Sequence, residues 1–167
     1  MKQILLLFGL FALNRLKYNY DREKISEIIP GKLYITNLTT SMNIEKLLNI
    51  GITDILFINQ RTKPKKILDA YKKNSINHKK YNILDLVDSD ISKIFDESYD
   101  FIEKGKKVIV HCKSGKSRAP TIVIMYLMRK YNMSFLNAIN LVRNKRYFIN
   151  PNPHFIKELK KIEKKKY

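Results

Sequence analysis

The chain has 167 residues, of which 44% are hydrophobic, and a formal net charge of +18. This length suits one domain of about 100–200 residues, and the apolar content excludes global disorder. A single cysteine excludes an intramolecular disulfide and a cysteine-rich zinc site, and with only three histidines we expect no metal. The charge alone is compatible with nucleic acid, an anionic membrane, anionic substrates or simple solubility.

The N-terminal segment, residues 1–24, contains an uninterrupted apolar run from Ile4 to Leu13. The run is too short to span a bilayer, which needs about 20 residues. A signal peptide is the minority interpretation, because no small-x-small cleavage site follows the run. We therefore expect an apolar helix that packs against the folded domain of residues 25–167 or against a second copy of the chain.

The remaining sequence alternates short apolar runs with amphipathic segments, a pattern typical of α/β domains. Strands are predicted over residues 32–36, 53–59, 80–84 and 107–111. Helices are predicted over residues 43–50, 64–73, 89–104 and 121–128, from Ser134, and from about Pro153. Because such strands form a mostly parallel sheet, we expect a single domain with a central sheet of four to five strands flanked by helices.

A loop between the strand over residues 107–111 and the buried helix over 121–128 combines residues suited to phosphate chemistry. Open α/β sheets bind ligands at this end of a strand. The loop amides and the start of the following helix can converge on an anion, and Gly115 permits the required backbone conformation. Arg118 can hold two phosphate oxygens, and the same positive field favours a thiolate at Cys112. The loop therefore predicts a cysteine nucleophile that faces a bound phosphate.

An alternative interpretation of Cys112 is a small buried cysteine of the core. The spacing from Cys112 to Arg118 is weak evidence alone, because an arginine stands at a fixed offset from one cysteine in roughly one sequence in twenty. The preceding strand, His111, Gly115 and the apolar helix that follows make the combination specific. We therefore favour the nucleophile.

The segment HCKSGKSRAP, residues 111–120, resembles the signature of the cysteine-dependent protein tyrosine phosphatase superfamily, and within it the small dual-specificity phosphatases. The resemblance covers residues 26–159, and residues 86–102 are most similar to the poxvirus members. It implies a catalytic domain that hydrolyses phosphotyrosine, phosphoserine and phosphothreonine through a phosphocysteine on Cys112. The residues that would bind the phosphoryl group are Lys113, Ser114, Gly115, Lys116, Ser117 and Arg118.

This family also uses an aspartic acid, on a loop before the helix that precedes the signature strand, to protonate the leaving group. Asp85, Asp88 and Asp90 are the candidates. We predict Asp88, because its spacing from Tyr81 fits the strand-to-loop pattern of the family. The loop is a few residues shorter than in relatives, so Asp85 and Asp90 stay open, and Asp90 can instead cap the helix.

The resemblance assigns supporting roles to two further residues. His111 would orient the loop and tune Cys112, and Asn152 would support the site by hydrogen bonding. Ala119 departs from the family pattern, because many relatives have a serine or threonine there whose hydroxyl bonds the cysteine sulfur. Without that hydroxyl we expect slower breakdown of the phosphocysteine.

Three other functions stay open at this point. Lys113 and Lys116 resemble the loop lysines of phosphoinositide phosphatases, and a basic surface would suit an anionic membrane. An RNA 5′-triphosphatase of this superfamily would have a loop similar to HCTHGxNRTG, which this chain lacks. A catalytically impaired module that only binds phosphoproteins is disfavoured by intact Cys112, Arg118 and Asp88. We favour a protein phosphatase.

The resemblance also implies partners and a location. We expect phosphoprotein substrates, no cofactor and no nucleic acid, with membrane association as a weaker alternative. Poxvirus-type members form homodimers through an N-terminal helix, so residues 2–18 would join two copies and bury Leu5, Leu6, Phe8 and Phe11. We expect a cytoplasmic location, in the host cytoplasm or the virion if the chain is viral.

Overall fold

A five-stranded sheet forms the centre of the structure, a computed structural model that describes residues 2–60 and 62–164, with side chains from residue 12 onward. The strands are β1 Ser26–Ile29, β2 Leu33–Thr36, β3 Asp54–Ile58, β4 Asn77–Tyr81 and β5 Val108–His111. Their order is β1-β2-β5-β3-β4, and only β1 runs antiparallel to its neighbour. The prediction of a mostly parallel sheet in a single α/β domain is therefore confirmed.

Helices cover both faces of the sheet. Over the described residues they are α1 Lys2–Arg22, α2 Leu38–Ser41, α3 Ile44–Ile50, α4 Lys65–Lys73, α5 Phe95–Lys104, α6 Arg118–Lys130, α7 Phe135–Lys145 and α8 Pro153–Lys164. Because side chains alternate along a strand, Val108 and Val110 of β5 pack towards α6, while Ile109 packs into the cluster that contains residues of α3 and α4.

The helix α6 is the centre of the larger hydrophobic core. All its side chains from Arg118 to Met128 are buried, because the sheet covers one side of the helix and α5, α7 and α8 cover the others. A helix surrounded in this way needs apolar residues on every side. The prediction of a buried helix, rather than a strand, over residues 121–128 is confirmed.

Two predicted elements have wrong boundaries. The strand predicted over residues 80–84 is β4, Asn77–Tyr81. It is an edge strand that pairs only with β3, and it leaves Asn77 and His78 exposed. Because its residues are mostly polar, the sequence carries no apolar run that would mark the strand. The helix predicted over residues 89–104 starts with a short 3-10 helix at Ser92, because the carboxylate of Asp90 accepts hydrogen bonds from the Ser92 amide at 3.0 Å and the Ser92 hydroxyl at 2.5 Å. The edge strand β1 was not predicted.

The N-terminal helix α1 extends from Lys2 to Arg22, and its later turns leave large apolar side chains in solvent. Leu13 and Leu16 are each 65% exposed, and Tyr20 is 69% exposed. The four side chains that the sequence predicts at a dimer contact, Leu5, Leu6, Phe8 and Phe11, are not among the described side chains, which begin at residue 12. Over the part of the chain with described structure, the helices lack the combination of length and apolarity that crossing a membrane requires.

Candidate active site

The predicted phosphate-binding loop, residues 112–117, leaves the middle of the sheet and leads directly into α6. The strand β5 is buried and paired on both sides, and its last residue, His111, lies beside Thr36 of β2 and Phe57 of β3. The helix then begins at Arg118. The loop therefore lies between the carboxyl end of a central strand and the positive end of a buried helix, where an anion is favoured.

Donors from elsewhere in the chain hold the carbonyl groups of this loop. They are the Leu38 amide on Lys113 O at 3.2 Å, Arg146 Nε on Gly115 O at 2.9 Å and the Asn150 amide on Lys116 O at 2.8 Å. In a trans peptide the carbonyl and the next amide point in opposite directions, so amides that follow an outward carbonyl face inward. Within the described chain, the amides of residues 113–117 donate to no other group. The loop therefore presents free donors to an oxyanion.

Gly115 is required by this geometry. Its φ of 67° lies in the left-handed region, and a Cβ there would come within 2.6 Å of Arg146 Nη2 and 2.7 Å of Thr36 O. Both neighbours are buried and cannot move away without loss of hydrogen bonds. Only glycine fits the position, as the sequence predicted.

Cys112 and His111 are both buried at the base of the loop. The His111 ring stacks on Phe57 at 4.4 Å between ring centroids, and Nδ1 lies 3.4 Å from the Cys112 carbonyl oxygen. Burial, aided by the charge of Lys63, lowers the pKa of His111 well below its usual value. A neutral histidine in this position can support the loop but is poorly suited to proton transfer. Cys112 also contacts the core, so its burial fits both interpretations made from the sequence.

Arg118 is fixed along one edge of its guanidinium group. Its Nη1 donates to the Asn59 side-chain oxygen at 3.2 Å and to the Ile83 carbonyl at 3.0 Å. Its Nε is buried and makes no hydrogen bond, and it lies 3.7 Å from Asp85 Oδ2. Sequence reasoning missed Asn59. Its position directly after β3, at the same sheet edge as the loop, is the signal that could have found it.

The structure brings Asp85, and not the predicted Asp88, to the phosphate-binding loop. The Asp85 carboxylate accepts hydrogen bonds from the Ser117 hydroxyl at 2.7 Å and from Asn152 Nδ2 at 3.1 Å. Asp88 is exposed in the turn that follows, and over the described residues it makes no hydrogen bond or ion pair. The physical reason is that Asn152 Nδ2 also donates to the Leu86 carbonyl at 3.3 Å. This bond holds the segment that carries Asp85 and Leu86 against the phosphate-binding loop, and the chain turns away after Leu86.

Asn152 connects three parts of the site. Besides its bonds to the segment at Asp85, its backbone amide donates to the Ser117 hydroxyl at 3.1 Å. Its side-chain oxygen accepts from the Phe155 amide at 2.9 Å and so caps the start of α8. These contacts are the kind of support that the sequence predicted for this residue.

The remaining predicted residues surround the loop. Lys113 is exposed and Lys116 is half-buried, so both can attract an anionic substrate. Ala119 is fully buried and offers no hydroxyl to the cysteine. Among the residues the structure describes, no three histidine, cysteine or carboxylate side chains cluster as metal ligands.

Comparisons with known proteins decide the family. Residues 33–165 match the model of the dual specificity phosphatase catalytic domain. The chain belongs to the dual-specificity phosphatase family. It is 34% identical to dual specificity protein phosphatase 1B of Arabidopsis thaliana, over 98% of this chain and 96% of that protein. It is 42% identical to a probable dual specificity protein phosphatase of Dictyostelium discoideum, over 83% of this chain and 34% of that one.

Solved structures agree with this assignment. The crystal structure of DUSP15 has a TM-score of 0.74 and 26% identity, covering 83% of this chain and 86% of that one. The human tyrosine phosphatase-like serine/threonine/tyrosine-interacting protein has a TM-score of 0.73 and 26% identity, covering 85% and 97%. The predicted function, a protein phosphatase for phosphotyrosine, phosphoserine and phosphothreonine, is therefore confirmed at the level of the family, and phosphoproteins are its class of substrate.

Proposed function

We propose that this dual-specificity phosphatase works through a phosphocysteine on Cys112. The sulfur attacks phosphorus in line, the bond from phosphorus to the leaving oxygen breaks, and water later hydrolyses the phosphocysteine. Arg118 and the amides of residues 113–118 would stabilise the charge on the equatorial oxygens. The observation that carries the proposal is the loop itself, because its carbonyls are held outward and its amides are free over the start of α6.

We further propose Asp85 as the acid that protonates the leaving group, in place of Asp88. Its carboxylate hydrogen-bonds to Ser117 at 2.7 Å and lies 3.7 Å from Arg118 Nε, so it is beside the position where the phosphoryl group would sit. The same group, ionised after the first step, would accept a proton from the attacking water. Asn152 supports this arrangement, because its amide orients the carboxylate at 3.1 Å.

The decisive experiment compares the purified full chain with its Cys112→Ser variant. We expect wild-type turnover of phosphotyrosine and phosphothreonine peptides, and a variant that retains peptide binding but loses turnover. A variant with full activity would contradict the phosphocysteine. Phosphoinositides and triphosphorylated RNA, offered at equal concentration, test the substrate class: faster turnover of either one than of the peptides would overturn the preference for phosphoproteins.

We also propose that residues 1–24 form a dimerisation segment attached to a catalytic domain of residues 25–167. Support comes from Leu13, Leu16 and Tyr20, whose spacing of three and four residues places them on one exposed face of α1. A second copy would cover this face. Light scattering on the full chain and on its Leu13→Lys, Leu16→Lys variant tests this, and a monomeric wild type would exclude it.

Three further proposals rest on sequence resemblance alone. They are kinship with the poxvirus-type members through residues 86–102, a cytoplasmic location and the absence of a nucleic-acid partner. Membrane association remains the weaker proposal beside them. Lys113 and Lys116 belong to the phosphate-binding loop, where their charges would attract a phosphoprotein as well as a lipid headgroup.

A further inference from the structure

Arg146, at the end of α7, is the largest fully buried side chain of the described structure, with 1% exposure. Over the described residues no carboxylate forms an ion pair with it, and every hydrogen bond of its guanidinium goes to an uncharged oxygen. Its five acceptors are Gly115 O at 2.9 Å, Ser114 O at 3.4 Å, Arg22 O at 3.0 Å, Lys24 O at 3.1 Å and Ser26 Oγ at 3.1 Å. All five N–H donors of an arginine are therefore used.

We propose that Arg146 is a positioning residue that aims two amides of the phosphate-binding loop at the phosphoryl group. By holding the carbonyls of Ser114 and Gly115 on the outer side, the guanidinium fixes both peptide planes. The amides of Gly115 and Lys116 belong to those planes and must point to the opposite, inner side. The inference rests on the proposed function in one respect, namely that the inner side of this loop binds the phosphoryl group.

A cation buried in this position without an ion-pair partner among the described residues is costly. Burial lowers the pKa of Arg146 to about 10. The ring of Phe148 covers the guanidinium at 4.5 Å. A hydrophobic residue would avoid the cost of burying a charge but could not hold the carbonyls. A lysine has three donors on a flexible stem and could not reach all five acceptors.

The same guanidinium connects the loop to the end of the N-terminal helix. Its Nη1 and Nη2 bind the carbonyls of Lys24 and Arg22, and Tyr18 of α1 packs edge-on against Phe148 at 5.2 Å. The last turn of α1 is thus part of the support of the active site. Together these contacts keep Arg146 in one rotamer, which a positioning residue needs in order to fix two peptide planes.

Three full-length variants test the proposal: Arg146→Met, Arg146→Lys and, as the control, Arg143→Met. Arg143 is an exposed arginine of the same helix, so its loss removes the same charge without a contact to the loop. For Arg146→Met we expect kcat/KM on a phosphotyrosine peptide to fall by about 100-fold, with lower kcat and higher KM, because misplaced donors cost this much. Its affinity for tungstate, an oxyanion similar to phosphate, should fall in parallel. Arg146→Lys should stay well below the wild type, and Arg143→Met should equal it.

A measurement on the wild type avoids any failure of a variant to fold. Arg146 Nε donates to Gly115 O, and NMR should detect a scalar coupling between that nitrogen and the Gly115 carbonyl carbon across this hydrogen bond. Added tungstate should shift the amide protons of Gly115 and Lys116 downfield. Absence of that coupling, or a folded Arg146→Met or Arg146→Lys variant with wild-type tungstate affinity and kcat/KM, would overturn the proposal. A wild type that binds no tungstate would instead count against the proposed function, so the two failures are distinguishable.

Discussion

Lys63, in the segment between β3 and α4, tests how this fold tolerates a buried charge. Its side chain is 7% exposed, and its ammonium donates to the Ser41 hydroxyl at 3.2 Å and to the Tyr71 hydroxyl. No carboxylate of the described structure forms an ion pair with it. Burial lowers the pKa of Lys63 from 10.5 to about 7, whereas burial raises the pKa of Tyr71, so the phenol cannot act as a counter-ion.

Replacement of Lys63 by methionine should therefore stabilise the protein at low pH. A pKa shift from 10.5 to about 7 means that folding with a protonated Lys63 costs roughly 5 kcal/mol. The ammonium lies 4.6 Å and 5.2 Å from the ring centroids of Tyr71 and Phe57, and such contacts recover about 1–2 kcal/mol. We expect Lys63→Met to gain about 3 kcal/mol near pH 6.

The direction in which the free energy of unfolding changes with pH tests the role of Lys63 more stringently than the size of the effect. Between about pH 7 and 10.5 the unfolded chain binds one more proton at this position than the folded chain, so the stability of the wild type rises with pH. The advantage of Lys63→Met should therefore shrink towards about pH 9. Urea unfolding followed by circular dichroism at both pH values measures it, with the exposed Lys66→Met as the control. An advantage that is absent near pH 6, or equal at both values, would refute the reasoning.

Three further predictions concern catalysis. Asp85→Asn should lower kcat for phosphoserine peptides by about 10²–10⁴-fold and Asp88→Asn should not, in steady-state assays; the reverse pattern would restore Asp88 as the acid. Gly115→Ala should lower kcat/KM for a phosphotyrosine peptide by about 100-fold, because its Cβ would displace Arg146; near-normal kcat/KM would disprove the tight fit. Ala119→Ser should speed phosphocysteine hydrolysis up to about tenfold by bonding the leaving thiolate, measured in single-turnover experiments, and an unchanged rate would argue against that hydroxyl effect.

The sequence predicted the buried elements of the fold better than the elements at the edge of the sheet. The strands β3 and β5 and the helix α6 are buried on nearly all sides, so their continuous apolar runs identified them. The edge strands β1 and β4 pair on one side only, and their exposed polar residues carry a weaker pattern. The predicted strand extended beyond the end of β4 to residue 84, because Ile83 and Leu84 are apolar. In the structure this segment is not a strand, and the Ile83 carbonyl accepts a hydrogen bond from Arg118.

The sequence by itself was enough to locate the candidate phosphate-binding loop, because Cys112, Gly115 and Arg118 are close in the chain and stay close when it folds. Only the tertiary structure decided which groups complete that loop. Asn59, Asp85 and Arg146 come from distant segments, and sequence spacing does not encode the direction of a side chain across such gaps. The physical reason is that parallel strands bring their carboxyl ends to one edge, where residues far apart in the chain become neighbours.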